Sequence, residues 1–203
     1  MPPSESGFEH INRYWDKTQL RWAAKLLPGQ VYVTRRTDEV LVTTLGSCVS
    51  ACVRDANMGV GGMNHFMLPH VSESGQDSWL DMATRYGSYA MEHLINEILK
   101  LGGNRQSLEI KLTGGGRVIS TMTDIGERNI TFARRYVQQE NLTLMAEDLG
   151  DRFARKVMYY PATGQLRVKK LRQLHNATVI NRERQYEQTL AALPDTGSVE
   201  LFE

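Results

Sequence analysis

Three features of the chain predict an α+β fold. Segments alternating apolar and polar residues at period two recur along it, most cleanly in Leu108-Glu-Ile-Lys-Leu112. Two stretches, 79–101 and 126–139, carry apolar residues at helical spacing instead. The two kinds of segment do not take turns regularly, so a doubly wound parallel sheet is excluded and mixed β-structure with a few helices is expected. A length of 203 residues with 41% hydrophobic content suits one domain with a proper core. A formal net charge of +1 gives no support to nucleic acid as a partner. No apolar run approaches the roughly 20 residues needed for membrane insertion. The start of the sequence lacks the pattern of a secretory signal, and two cysteines argue for a reducing compartment. The expectation is cytoplasmic.

In chain order, residues 1–10 are polar with two prolines, and 12–27 read as a helix closed by Pro28-Gly29. Trp15 and Trp22 would pack that helix on the core or, less favoured, form a partner surface. Residues 31–35 and 40–45 alternate as strands. From Val40 to Leu68 run two apolar arms, the first broken at Gly46, joined by the turn Asp55-Ala-Asn-Met-Gly59. A polar loop, 70–77, precedes the long helix 79–101, with Tyr86, Tyr89, Ala90, Leu94 and Ile98 on its stripe, which stops at Gly102-Gly103. After strand 108–112 come Thr113-Gly-Gly-Gly116, helix 126–139, strand 142–146, and a hairpin of 155–160 with 165–171 around Pro161-Ala-Thr-Gly164. Residues 173–203 read as a weak helix and tail. The division expected is 1–28 for an N-terminal tail and helix, 29–172 for the main domain, and the remainder as an appendage.

The chemistry-bearing residues lie on the two arms. A lone cysteine is ordinarily a small buried hydrophobe. Cys48 differs because Gly46 and Ser47 precede it, letting the backbone turn and present bare amides to a developing oxyanion. An unactivated thiol is only a few per cent ionised at neutral pH, so a base or a positive field is required, and a reachable sulfur with it. His65 is the histidine on the second arm, within reach across an antiparallel pair. Cys52 reads as core, too far from Cys48 along a strand for a disulfide or a shared zinc ion. The triple glycine lacks the Lys-Ser/Thr of a P-loop and reads as a strand end that another backbone approaches, the wall of a cleft.

Leu45-Gly-Ser-Cys-Val49 followed by Gly62-Met-Asn-His-Phe-Met-Leu-Pro69 resembles the CheD family of chemoreceptor glutamine deamidases. Thr113-Gly-Gly-Gly116, Asp124-Ile-Gly-Glu-Arg-Asn129, Ala146-Glu-Asp-Leu-Gly150 and Thr163-Gly-Gln-Leu-Arg-Val168 are similar to family segments in the same order, so the likeness spans about 29–172. It implies packed mixed β-sheets flanked by helices, an arrangement shared with the deamidating domain of cytotoxic necrotizing factors. It also implies hydrolysis of glutamine side chains on methyl-accepting chemotaxis receptors through a cysteine thioester, with no cofactor and no metal, and in many bacteria a CheC-type phosphatase as regulator. Carried over, Cys48 matches the nucleophile and His65 the base. The family's third residue is a Thr six positions before the Cys, where this chain has Val42. Three arrangements remain open: Thr44, on Val42's side of a regular strand, substitutes; a local register change brings in Thr43 from the opposite side; or the third residue is dispensable. Backbone amides at Gly46, Ser47 and Cys48, or a threonine hydroxyl, are the candidate oxyanion donors, and loop 70–77 with 113–116 the candidate rim. The rival readings are an amine-accepting thiol acyltransferase and a non-catalytic receptor-binding module.

Overall fold

In a computed structural model, residues 3–69, 76–118, 125–172 and 177–191 are described. Among the described residues, ten strands form two five-stranded sheets. The first has the order β1 (Asn12–Asp16), β2 (Arg21–Lys25), β4 (Glu39–Leu45), β9 (Ala154–Tyr160), β10 (Gln165–Leu171). The second has the order β3 (Val31–Thr34), β6 (Val60–Asn64), β5 (Val49–Asp55), β7 (Leu108–Gly114), β8 (Thr143–Leu149). Each sheet is mixed: β2 runs parallel to β4 and β7 parallel to β8, and the remaining pairs are antiparallel. Helices α1 (Gln76–Lys100) and α2 (Ile125–Gln139) pack on the second sheet, and α3 (Ala177–Ala191) follows β10. The α+β expectation of packed mixed sheets flanked by helices holds.

Strand alternation sorts the core. Leu41, Thr43 and Leu45 share one face of β4, and the buried Tyr159 of β9 lies near Cys52 of β5. The sheets therefore meet through Leu41, Leu45, Val157 and Tyr159 on one side and Cys52 and Met63 on the other. The opposite face of the second sheet takes Ala90, Met91, Leu94, Ile95 and Ile98 of α1, and Ile130, Ala133 and Val137 of α2. Tyr89, expected on the inward stripe, is 67% exposed.

The segment expected to form a helix over 12–27 is instead the hairpin β1–β2. Its turn is made by Asp16, whose Oδ1 accepts from the Thr18 amide, the Thr18 hydroxyl and the Gln19 amide, while Leu20 takes a left-handed φ of 49°. Trp15 and Trp22 face each other across the hairpin, edge to face with centroids 5.6 Å apart. Residue Arg13 of the hairpin donates to Glu39 of β4 at 2.6 Å, and the Tyr32 hydroxyl donates to the same carboxylate at 2.9 Å. Strand β8 runs to Leu149, beyond the expected 142–146, because its parallel pairing with β7 continues to Gly114. Of loop 70–77, residues 70–75 lie outside the described residues, as does the tail from 192 onward.

Among the described residues, the backbone passes between sheets at 26–30, 35–38, 46–48 and 150–153. Three of these passages, 26–30, 46–48 and 150–153, come together at one end of the sandwich. Main-chain hydrogen bonds tie each of them to the neighbouring segments there: Leu26 N to Val42 O, Gly29 N to His65 O, Gly116 N to Gly46 O, and Gly150 N to Gly114 O.

Candidate active site

The shortest passage is Gly46-Ser47-Cys48. Because it belongs to neither ladder, its amides have no strand partner. Its carbonyls are all pinned from one side. Gly46 O accepts from Gly116 N at 2.8 Å, Cys48 O from Gly115 N at 2.8 Å, and Ser47 O from Asn129 Nδ2 at 2.9 Å. Asn129 is itself fixed by accepting from Leu68 N at 2.8 Å. With the carbonyls held this way, the three N–H groups turn together toward the other side. The triple glycine is thus the close-approach wall read from the sequence. At Gly114 (φ 122°) an added Cβ would lie 2.2 Å from the Cys48 carbonyl oxygen, so only glycine lets the two backbones meet.

What the three amides face was not foreseen. The Glu183 carboxylate of α3 accepts from Gly46 N at 2.7 Å, Ser47 N at 2.8 Å, Ser47 Oγ at 2.7 Å and Cys48 N at 3.3 Å. Nothing in the polar run Asn181-Arg-Glu-Arg-Gln-Tyr186 marks this acid from its neighbours, and the contact spans 137 residues of sequence.

His65 follows β6 and closes the other side. Val49 and Phe66 exchange both backbone hydrogen bonds at 3.0 Å, carrying the antiparallel pairing of β5 and β6 past the end of β6. The His65 amide donates to Gln30 O at 2.9 Å. Its Nδ1 lies 2.8 Å from Thr43 Oγ1, which also bonds the Leu26 carbonyl at 2.9 Å. A carbonyl only accepts, so the single hydroxyl proton of Thr43 goes to Leu26 and Nδ1–H donates to Thr43. That tautomer leaves a lone pair on Nε2, which is buried and makes no hydrogen bond among the described residues. Cys48 Sγ, a ring nitrogen of His65 and a Glu183 oxygen all lie within 4.8 Å of one another.

Thr43 reaches the imidazole from the face of β4 opposite Val42, and no local register change is involved. The pairing with β9 runs unbroken from Leu41 to Leu45. Thr44 lies on the other face with Val42, paired across to Lys156. Sulfur, imidazole and carboxylate are a donor set that a soft divalent cation could use, yet both Glu183 oxygens are already taken up by the Gly46–Cys48 segment. Cys52 is a free thiol in the sandwich interior, as expected.

The family model described as CheD chemotactic sensory transduction matches residues 67–170. A Halorhodospira halophila protein named "Probable chemoreceptor glutamine deamidase CheD" is 54% identical over 100% of this chain and 94% of its own length. Proteins of the same name from Hahella chejuensis and Methylobacillus flagellatus are 47% and 51% identical, covering 99% and 94% of this chain and 95% of each relative. The chain belongs to the CheD family. The family model begins after Cys48 and His65, whereas the relatives align across both arms and reach α3.

Electrostatics in this CheD site disfavour the charged forms of both Cys48 and His65. Burial first, then the Glu183 charge and its hydrogen bond, push the Cys48 thiol well above its ordinary value. Burial, followed by the nearby Arg182 charge, lowers His65 to about 3. The unfolded protein therefore binds a proton at this residue between pH 6.5 and about 3 that the folded protein refuses, and stability falls as pH drops through that window. His65→Gln should flatten the melting-temperature profile there. An unchanged slope would mean that His65 does not stay neutral in the folded protein.

Proposed function

We propose that this CheD-family protein hydrolyses the side-chain amides of selected glutamines on methyl-accepting chemotaxis receptors to glutamates, releasing ammonia. Its full-length relatives carry that activity in their names. One observation in the fold favours it most: a thiol, an imidazole lone pair and three convergent peptide N–H groups surround a single carboxylate, the functional group that deamidation leaves behind.

The chemistry follows from these positions. His65 Nε2 takes the Cys48 proton, and the thiolate attacks the carboxamide carbon as the amide carbonyl becomes an oxyanion. The amides of Gly46, Ser47 and Cys48 receive that charge; one such donor is typically worth about 3 kcal/mol. Thr43 and the Leu26 carbonyl hold the ring in the accepting tautomer and steady the imidazolium once it forms; in this reading Thr43, rather than Thr44, is the third residue of the set, a role its contacts support. The imidazolium protonates ammonia as the C–N bond breaks. Water, relieved of a proton by the same nitrogen, then splits the thioester to release glutamate and the free thiol.

Incubating the protein with a receptor cytoplasmic fragment tests this reading. Mass spectrometry should find a gain of about one dalton per converted glutamine, matched by free ammonia. Incorporation of an added amine in place of ammonia-linked hydrolysis would make the protein an acyltransferase, and no change in mass would make it a binding module.

A further inference from the structure

Deamidation requires an open path to Cys48, and the structure closes it. Cys48 is fully buried and Glu183 is 2% exposed. The covering element is α3, which is polar for most of its surface and turns only a narrow stripe toward the body. Along that stripe Glu183 enters the amide nest, the Tyr186 hydroxyl shares a hydrogen bond with Tyr86 of α1, and Leu190 joins the hydrophobic core at 5% exposed. The body is shaped to receive it. A side chain at Gly29 would run into the Tyr186 hydroxyl at 2.6 Å, and one at Gly46 into Glu183 Oε2 at 2.6 Å.

A carboxylate is a costly choice for a purely structural plug, since ions are seldom buried without a charged partner. Here it is met by three peptide N–H groups and one hydroxyl, and its place beside the thiol is where the side chain of a substrate must sit. Its shape and charge are those of the reaction product. We propose that α3 occupies the docking groove of the substrate helix, with Glu183 standing in for the converted glutamine, so that the protein holds itself inactive until a receptor helix displaces its own C-terminal helix. This rests on the deamidase reading and adds to it that the substrate segment binds as a helix along the track of α3.

While the helix is docked, both parts of the reaction are suppressed together. Glu183 fills the oxyanion site and its charge opposes thiolate formation, and Arg182 opposes protonation of His65. Departure of α3 removes all three effects at once.

Two full-length variants test the proposal, with circular dichroism confirming that each is folded. Glu183→Ala removes the stand-in. Leu190→Ala, seven residues further along the helix, weakens docking without altering a charge near the thiol. In both, alkylation of Cys48 by iodoacetamide at neutral pH should accelerate by about tenfold or more, as expected when one buried leucine's packing is lost. Ammonia release from the receptor fragment should rise with it. Unchanged alkylation and unchanged turnover in both variants overturn the proposal. So does a Glu183→Ala enzyme that alkylates readily but loses the wild-type turnover, because Glu183 would then be part of the machinery. Faster alkylation in both variants, with no ammonia from any form of the protein, upholds the covering helix and defeats the deamidase reading instead.

Glu183→Gln gives a separate readout of position. It places a carboxamide against Cys48, so the substituted residue should convert back to glutamate: the C–N bond of the carboxamide breaks, ammonia leaves and water supplies the oxygen. The gain is about one dalton at position 183, abolished by Cys48→Ala. A glutamine that persists at that position while Cys48 is freely alkylated would put the helix beside the substrate's place rather than in it, and would overturn the proposal.

Discussion

Cys48→Ala should lower deamidation of a receptor fragment by roughly three orders of magnitude or more, as removal of a covalent nucleophile does elsewhere. The fold should survive, because the side chain is small, already buried, and anchored by its backbone to Gly115 rather than through sulfur. Cys52→Ser is the paired control. Cys52 lies between the sheets near Tyr159, within the paired strand β5, so its replacement should cost about 1–3 kcal/mol for a buried hydroxyl while most turnover remains. Ammonia yield and urea denaturation read out the two variants side by side. Substantial turnover in Cys48→Ala, or its loss in a folded Cys52→Ser protein, would assign the reaction to the wrong thiol.

The largest expected effect on stability lies at the other end of β4. Glu39 accepts from Arg13 at 2.6 Å and from the Tyr32 hydroxyl at 2.9 Å, and the side chains of Arg13 and Glu39 are 1% and 0% exposed. Glu39→Ala removes the buried carboxylate that accepts from both Arg13 and the Tyr32 hydroxyl, and should destabilise by about 3–5 kcal/mol. Replacing both partners with apolar residues, as Arg13→Met with Glu39→Leu, should recover much of that loss. Urea midpoints at fixed pH measure it. A loss below about 1 kcal/mol in the single variant would mean that water reaches the pair. Turnover at low temperature should change little, since Thr43 and the thiol sit at the opposite end of the strand.

Most of the layered core was legible because single segments carried one clear period. The alternation in 108–112 and the helical stripe of 126–139 each became the element they predicted, as β7 and α2. The N-terminal hairpin was not legible. Its aromatic residues fall at spacings that suit a helix, and its turn is built from Asp16, Thr18 and a left-handed Leu20, without the glycine or asparagine that usually announces one. At the candidate site, local context singled out Cys48, His65 and the amides around Gly46 and Ser47, groups that the fold brings together. Thr43 was obscured by comparison with Val42: the hydroxyl that meets the imidazole is set by which face of β4 looks into the sandwich, a property of the assembled layers. Glu183 was beyond reach altogether, since a charged residue in a polar helix gives no sign that its partners lie in a distant passage of the backbone.

The convergence of three passages at one end of the sandwich bears on how this architecture tolerates change. Main-chain hydrogen bonds, with the side chains of Thr43 and Asn129, set the distance from sulfur to imidazole, and the apolar side chains between the layers contribute to it only indirectly. Repacking of the layers can therefore tighten or soften the molecule as a whole without moving the thiol and imidazole apart. An inserted or deleted residue in 26–30 or 46–48 would have the contrary effect, sparing overall stability while spoiling the alignment on which the proposed turnover depends.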